Sequence, residues 1–212
     1  MQGCFCFFEC RNSTNLSNQK LKKKTMPSIC ILSGTDRKNS RSLDVAQYLE
    51  SLYKVAGSRA FVVSLEQFPL HEVQGGRYGE DLPGISIFRK PVLEADGIVM
   101  IVPEYNGSFP GILKLFLDYL PFPEALSQKP VAFVGVAEGA FGALRAVEQL
   151  QMVCAYRNAF LYPQRVFLQR VSRVFDKNKG VTDEVVASLV KEQSEGFTQF
   201  VASQTNELVV EK

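Results

Sequence analysis

Apolar residues follow two alternating patterns along the chain. Short runs are apolar almost throughout: SICILSG (28–34), RAFVVSL (59–65), DGIVMIV (96–102), KPVAFVGV (129–136) and a segment around 166–168. Between them, longer runs place apolar residues three and four apart. In SRSLDVAQYLESLYKVAG (40–57) these are Leu43, Ala46, Leu49, Leu52 and Tyr53, closed by Gly57. The first pattern predicts strands covered on both faces, the second amphipathic helices. Helices are predicted over 40–57, near 85–95, over 111–120 and 141–158, and around 182–203. Five strand–helix pairs in strict alternation predict an α/β domain, a parallel sheet with helices on both faces.

Ligands of such sheets bind outside the carboxyl ends of the strands, so chemistry is sought at 33–41, 66–84, 103–110 and 137–142. The first loop, SGTDRKNSRS, offers the hydroxyls of Ser33, Thr35, Ser40 and Ser42, the amide of Asn39 and the cation Arg37, with a helix beginning inside it. Backbone N–H groups at a helix start favour an anion, and added hydroxyls suit a phosphate monoester. The loop is neither G-x-x-x-x-G-K-[ST] nor G-x-G-x-x-G. Its plainer reading is a helix capped by Ser40 and a solvated turn. In the third loop Pro103 ends the strand, Gly107 gives the backbone room to turn or to approach a ligand, and Pro110 starts the next helix. A polar turn explains the prolines but not the run Glu104, Tyr105, Asn106, Gly107 between them. The fourth, AEGAFGALR, sets Gly139 and Gly142 beside a helix start, as a ligand loop or as a flexible connection.

Length and composition narrow the field. The chain has 212 residues, formal net charge +2, 46% hydrophobic and 22% charged residues, which suits one large domain and signals neither a nucleic-acid surface nor disorder. No run approaches the ~20 apolar residues of a membrane-spanning helix. The domain is expected over 27–205. Residues 1–26 form an extension, expected to be a disordered tail or an over-long start with translation from Met26; its basic cluster follows its apolar patch, unlike a signal peptide. Cys4, Cys6 and Cys10 lie there without a fourth ligand to close a metal site, while Cys30 and Cys154 read as core residues. An odd cysteine count of 5 without framework spacing predicts a reducing, cytoplasmic setting.

PEYNGSFPGILKLFLDYL (103–120) resembles the P-E-Y-N-[GS]-S-x-P-x-x-L-K-x-x-x-D-[WY] block of the NADPH-dependent FMN reductase family, whose members include quinone, azo-dye and chromate reductases. GTDRKNSRS resembles its phosphate motif G-S-x-R-x-x-S-x-N, with Thr35 in place of Ser and Ser42 in place of Asn. The resemblance implies a flavodoxin-like three-layer sandwich with a five-stranded sheet in the order 2-1-3-4-5. It implies FMN as cofactor and NADPH or NADH as electron donor. Thr35, Arg37, Asn39, Ser40 and Ser42 would surround the FMN phosphate. Pro103, Glu104, Tyr105, Asn106 and Gly107 would line the ring, and the loop from Glu138 through Gly139 to Gly142 would approach its far edge. A homodimer or homotetramer is implied, with Phe109, Phe116 and Tyr119 as candidate contacts. Arg37 and Arg77 are candidates for a nicotinamide nucleotide phosphate.

The residues ask for no protein nucleophile. His71 is the only histidine and has no companion G-x-S-x-G serine, which disfavours a hydrolase. A flavin enzyme tolerates this, because the cofactor carries the hydride and the protein supplies position and electrostatics. The expected reaction runs from NAD(P)H through FMN to a small-molecule acceptor (quinone, free flavin, azo compound or metal ion) with ping-pong kinetics. The rivals are a flavodoxin-like electron carrier reduced by a protein partner, and a non-catalytic binding domain. Flavodoxins tend to be acidic to suit their partners, unlike this chain.

Overall fold

The strands form where uninterrupted apolar runs can bury both faces. The computed structural model describes residues 26–207. Its strands are β1 (Ser28–Ser33), β2 (Arg59–Ser64), β3 (Gly97–Pro103), β4 (Pro130–Ala137), β5 (Phe160–Leu161) and β6 (Val166–Gln169), with a small hairpin of β7 (Phe175–Asp176) and β8 (Gly180–Val181). Helices are α1 (Arg41–Val55), α2 (Pro83–Glu94), α3 (Gly111–Asp118), α4 (Leu144–Tyr156), α5 (Val171–Val174) and α6 (Glu184–Glu207). The large sheet runs β2-β1-β3-β4-β5, parallel throughout, and β6 also pairs with β4. With β5 and β6 as two pieces of one outer strand, this is the expected 2-1-3-4-5 order. Except for Met26, the extension over 1–26 and its cysteines lie outside the described residues.

Strand alternation divides the interior in two. Cys30, Leu32, Met100 and Phe133 pack under α2, α3 and α4, whereas Ile29, Ile31, Val99 and Val134 pack under α1 and α6. Phe116 and Tyr119 belong to the first of these cores, at 0% and 5% exposure, so they are not the subunit contact expected of them, and Phe109 packs partly buried against the same cluster. Cys30 and Cys154 are buried as expected.

Two departures have local causes. Helix α4 begins at Leu144 instead of 141, because Gly142 (φ 58°) and Ala143 (φ 71°) are left-handed and cannot continue a helix. The outer strand breaks at 162–165, where Pro163 has no N–H for the ladder. Across the break, the buried Gln193 side chain of α6 donates to the carbonyls of Phe133 (3.1 Å) and Gln164 (2.8 Å), standing in for the missing backbone donor. Beyond α4, the buried Arg157 guanidinium donates to the carbonyls of Leu117 (3.1 Å), Leu120 (3.3 Å) and Pro121 (2.8 Å). It places a cation at the negative end of the α3 dipole and bonds one carbonyl of its last turn and two just beyond it.

Candidate active site

The first loop supplies unpaired donors. Ser40 caps α1, its Oγ accepting from the Leu43 N–H at 3.2 Å, and Asn39 before it is left-handed (φ 52°). The backbone N–H groups of Lys38, Asn39, Arg41 and Ser42 find no protein acceptor among the described residues. Together with the helix dipole and the side chains of Arg37 and Lys38, they form an anion-seeking concavity. Ser40 is therefore the cap, and the amides around it are open. Thr35 sits deeper, 1% exposed, where its Oγ1 accepts from the Arg37 N–H (3.2 Å) and bonds the Tyr105 hydroxyl (2.7 Å). That contact ties the first loop to the third.

In the third loop, Tyr105 and Ser108 exchange two backbone hydrogen bonds (Tyr105 N–H to Ser108 carbonyl, 2.8 Å; the reverse, 3.1 Å). The residues between them, Asn106 (φ 51°) and Gly107 (φ 77°), both have positive φ, the condition of a tight type I′ turn. Asn-Gly is thus required by the backbone. A Cβ on Gly107 would meet nothing within 4 Å, so the space beside this turn is open. Helix α4 holds the turn from behind. Gln149 accepts from the Ser108 hydroxyl (2.6 Å) and donates to the Gly107 carbonyl (3.2 Å), and one turn earlier Arg145 stands 3.9 Å from the Glu104 carboxylate. Neither partner was legible in the sequence, where both read as ordinary polar positions of an amphipathic helix.

The fourth loop lies down on the sheet. A Cβ on Gly135 of β4 would stand 2.3 Å from the Gly142 carbonyl oxygen, and one on Gly142 would stand 2.9 Å from both Phe167 and Gln169. Gly142 therefore serves close packing on the sheet, and Gly139 is exposed at the loop tip. Glu138 accepts from the N–H and hydroxyl of Ser172, each at 3.1 Å, fastening this loop to α5.

A cavity of about 530 Å3 opens where the three loops meet. Of the expected residues, Arg37, Asn39, Ser40, Ser42, Pro103, Glu104, Tyr105 and Glu138 line it; Lys38, Arg41, Val136, Ala137 and Val171 join them. Thr35, Asn106, Gly107, Gly139 and Gly142 support or flank the loops without lining it. Val171 had no polar motif to announce it. The cavity is polarised: cations and free amides gather at the first loop, while the carboxylates at the other end are engaged, Glu104 with Arg145 and Glu138 with Ser172. That division suits an anionic group at one end and a neutral, flat group at the other. Arg77, the other arginine considered for a nucleotide, is occupied, its guanidinium holding Glu80 at 2.9 and 2.7 Å. No cluster of His, Cys, Asp or Glu suited to a metal ion occurs among the described residues, nor is any helix there long and apolar enough to cross a membrane.

Comparison with known proteins places this site in context. The model of the family described as NADPH-dependent FMN reductase matches residues 27–172. The chain is 32% identical over 161 residues to a 2-hydroxy-1,4-benzoquinone reductase of Burkholderia sp, covering 74% of this chain and 86% of that one. It is 31% identical over 140 residues to an NADPH azoreductase of Bacillus sp. (strain OY1-2), covering 66% and 75% respectively. Among solved structures, the fold resembles FerB, a flavoenzyme NAD(P)H:(acceptor) oxidoreductase from Paracoccus denitrificans. That likeness has a TM-score of 0.69 at 19% identity, over 84% of this chain and 99% of that one.

Proposed function

Since the chain belongs to the NADPH-dependent FMN reductase family, we propose that it passes electrons from NAD(P)H through bound FMN to a small-molecule acceptor such as a quinone, a free flavin, an azo compound or a metal ion. The observation that carries this reading is the set of N–H groups at Lys38, Asn39, Arg41 and Ser42 without an acceptor among the described residues, beside the cations Arg37 and Lys38, at one end of a cavity whose carboxylates are held by Arg145 and Ser172. These donors fit the phosphate monoester of FMN, and Ser40 and Ser42 add hydroxyls. Pro103, Glu104 and Tyr105 give the ring one wall, with the turn at Asn106 and Gly107 flanking it, while Val136, Ala137 and Glu138 give another. Bound FMN supplies the two-electron chemistry, in two separate encounters that yield ping-pong kinetics.

The chain's own part is to hold and to orient. Thr35 and Tyr105 lock the phosphate loop to the ring wall, and Gln149 fixes the Gly107 peptide. We further place the protein in the cytoplasm, consistent with its free Cys30 and Cys154 thiols, as a homodimer or homotetramer. Support for the subunit contact comes from α4, where Met152 (66% exposed) and Tyr156 (81%) continue the stripe that begins with Arg145 and Gln149.

The test is anaerobic titration of the purified, FMN-loaded protein with NADPH and NADH. Bleaching of the visible flavin band without any added protein is expected, and a panel of acceptors then assigns the second half-reaction. An unchanged spectrum would refute the proposal, and bleaching only on addition of a protein reductase would favour the electron-carrier rival.

A further inference from the structure

Beside the cavity lies a second depression, of about 620 Å3, which the reading so far leaves without a role. The two share a wall. Glu138 lines the first and Ala140 the second; Val171 lines the first and Arg170 the second. The Glu138–Ser172 hydrogen bonds form the partition between them. Consecutive Cα atoms are about 3.8 Å apart, so the two linings come within a residue or two of each other along the chain at both places.

The groove has the chemistry of a nucleotide site. Its lining joins the apolar Phe167, Val174, Val186 and Leu189 with three arginines, Arg165, Arg170 and Arg173. Arg165 lies 5.8 Å from the Phe167 ring centroid and 3.9 Å from Glu148, so it is partly committed. Arg170 and Arg173 make no ion pair among the described residues. The groove's carboxylate, Asp183, is engaged in receiving the Val186 N–H at 3.0 Å at the start of α6. The Arg170 backbone is left-handed (φ 48°), a conformation uncommon outside glycine. Two arginines without an ion pair among the described residues, in one lining with apolar side chains, suit a phosphate monoester attached to a flat base. Of the arginines earlier considered for a nicotinamide nucleotide, Arg77 is paired with Glu80, and Arg37 belongs to the first loop.

We propose that this groove binds the adenosine 2′-phosphate of NADPH, with Arg170 and Arg173 as the residues that distinguish NADPH from NADH. The inference rests on NAD(P)H being the electron donor, as proposed above. It assigns the 2′-phosphate to the α5 side of the partition, outside the cavity that holds the flavin.

The test compares wild type with the Arg170→Asn, Arg173→Gln double variant, both loaded with FMN; asparagine is chosen because it tolerates the left-handed backbone. Calorimetric titration with adenosine 2′,5′-bisphosphate and with 5′-AMP reads the groove without turnover. Wild type is expected to favour the bisphosphate, and the double variant to weaken its binding roughly tenfold to a hundredfold, as loss of a charge-assisted contact implies. The KM for NADPH should rise in step, with the KM for NADH and the FMN content unchanged. Should the double variant misfold by circular dichroism, Arg173→Gln alone reads the same quantities. Wild-type bisphosphate affinity and an unaltered NADPH-to-NADH ratio in the variants would overturn the assignment, as would loss of the preference in Arg37→Gln instead. If neither dinucleotide bleaches the flavin, the parent proposal falls, and the calorimetry still decides whether the groove holds a 2′-phosphate.

Discussion

Replacing Gln149 by Leu removes a clamp while nearly preserving its volume. The amide orientation is forced, because the Gly107 carbonyl can only accept and must face the NH2 group, leaving the amide oxygen to the Ser108 hydroxyl. The two bonds, at 2.6 and 3.2 Å, are partly buried. At about 0.5–1.5 kcal/mol net for each, the variant should lose about 1–3 kcal/mol of stability. The turn itself should persist, since its two backbone bonds between Tyr105 and Ser108 remain. What is lost is its attachment to α4, so FMN must re-order the turn on binding. If about half of the energy reappears in that step, the FMN Kd rises about twofold to tenfold, at roughly 1.4 kcal/mol per decade. Fluorescence titration of apoprotein with FMN, alongside urea denaturation, measures both quantities. Gln149→Glu should retain the Ser108 contact but set a carboxylate against the Gly107 carbonyl, and so bind no better than the Leu variant. Wild-type FMN affinity in Gln149→Leu would refute the clamp.

Gly107→Ala meets no steric obstacle, so its cost should be the backbone term alone, about 1–2 kcal/mol for a left-handed residue, read as a lower urea midpoint. Arg157→Met abandons three carbonyl acceptors at the end of α3 and should destabilise by about 3 kcal/mol; a loss under about 1 kcal/mol would mean that water replaces the guanidinium. Burial pushes the Cys30 and Cys154 thiols up from 9.0 to about 12, so the folded state keeps protons that the unfolded state releases. Their contribution is complete below pH 9 and falls as the pH rises toward 12; between pH 8 and 10 wild type should lose roughly 1 kcal/mol more than Cys154→Ala in denaturation experiments.

What the sequence disclosed followed from strong local physics. Runs such as DGIVMIV can only be strands buried on both faces, and the helical stripe from Leu43 to Tyr53 can only cover one. The loops meeting at the cavity followed from that alternation alone. Hidden features depended on partners distant in sequence. Arg145 and Gln149 look like a solvated helix face until the 104–108 turn is folded against them. Phe116 and Tyr119 fall in a motif that suggests exposure, yet their helical spacing points them into the core. Val171 lines the cavity next to Ser172, which Glu138 bonds across 34 residues of sequence. The start of α4 shifted for a reason no periodicity records, two successive left-handed residues.

The divided outer strand has a consequence for solubility. A sheet ending in a long, straight strand offers a row of free N–H and C=O groups to any passing chain, the usual seed of edge-to-edge aggregation. Here the last strand is two short pieces, Phe160–Leu161 and Val166–Gln169, with Pro163 between them and α6 bonded into the gap through Gln193. An incoming strand would find no continuous register across the break. The break that costs this edge part of its ladder also makes it a poor template for misassembly.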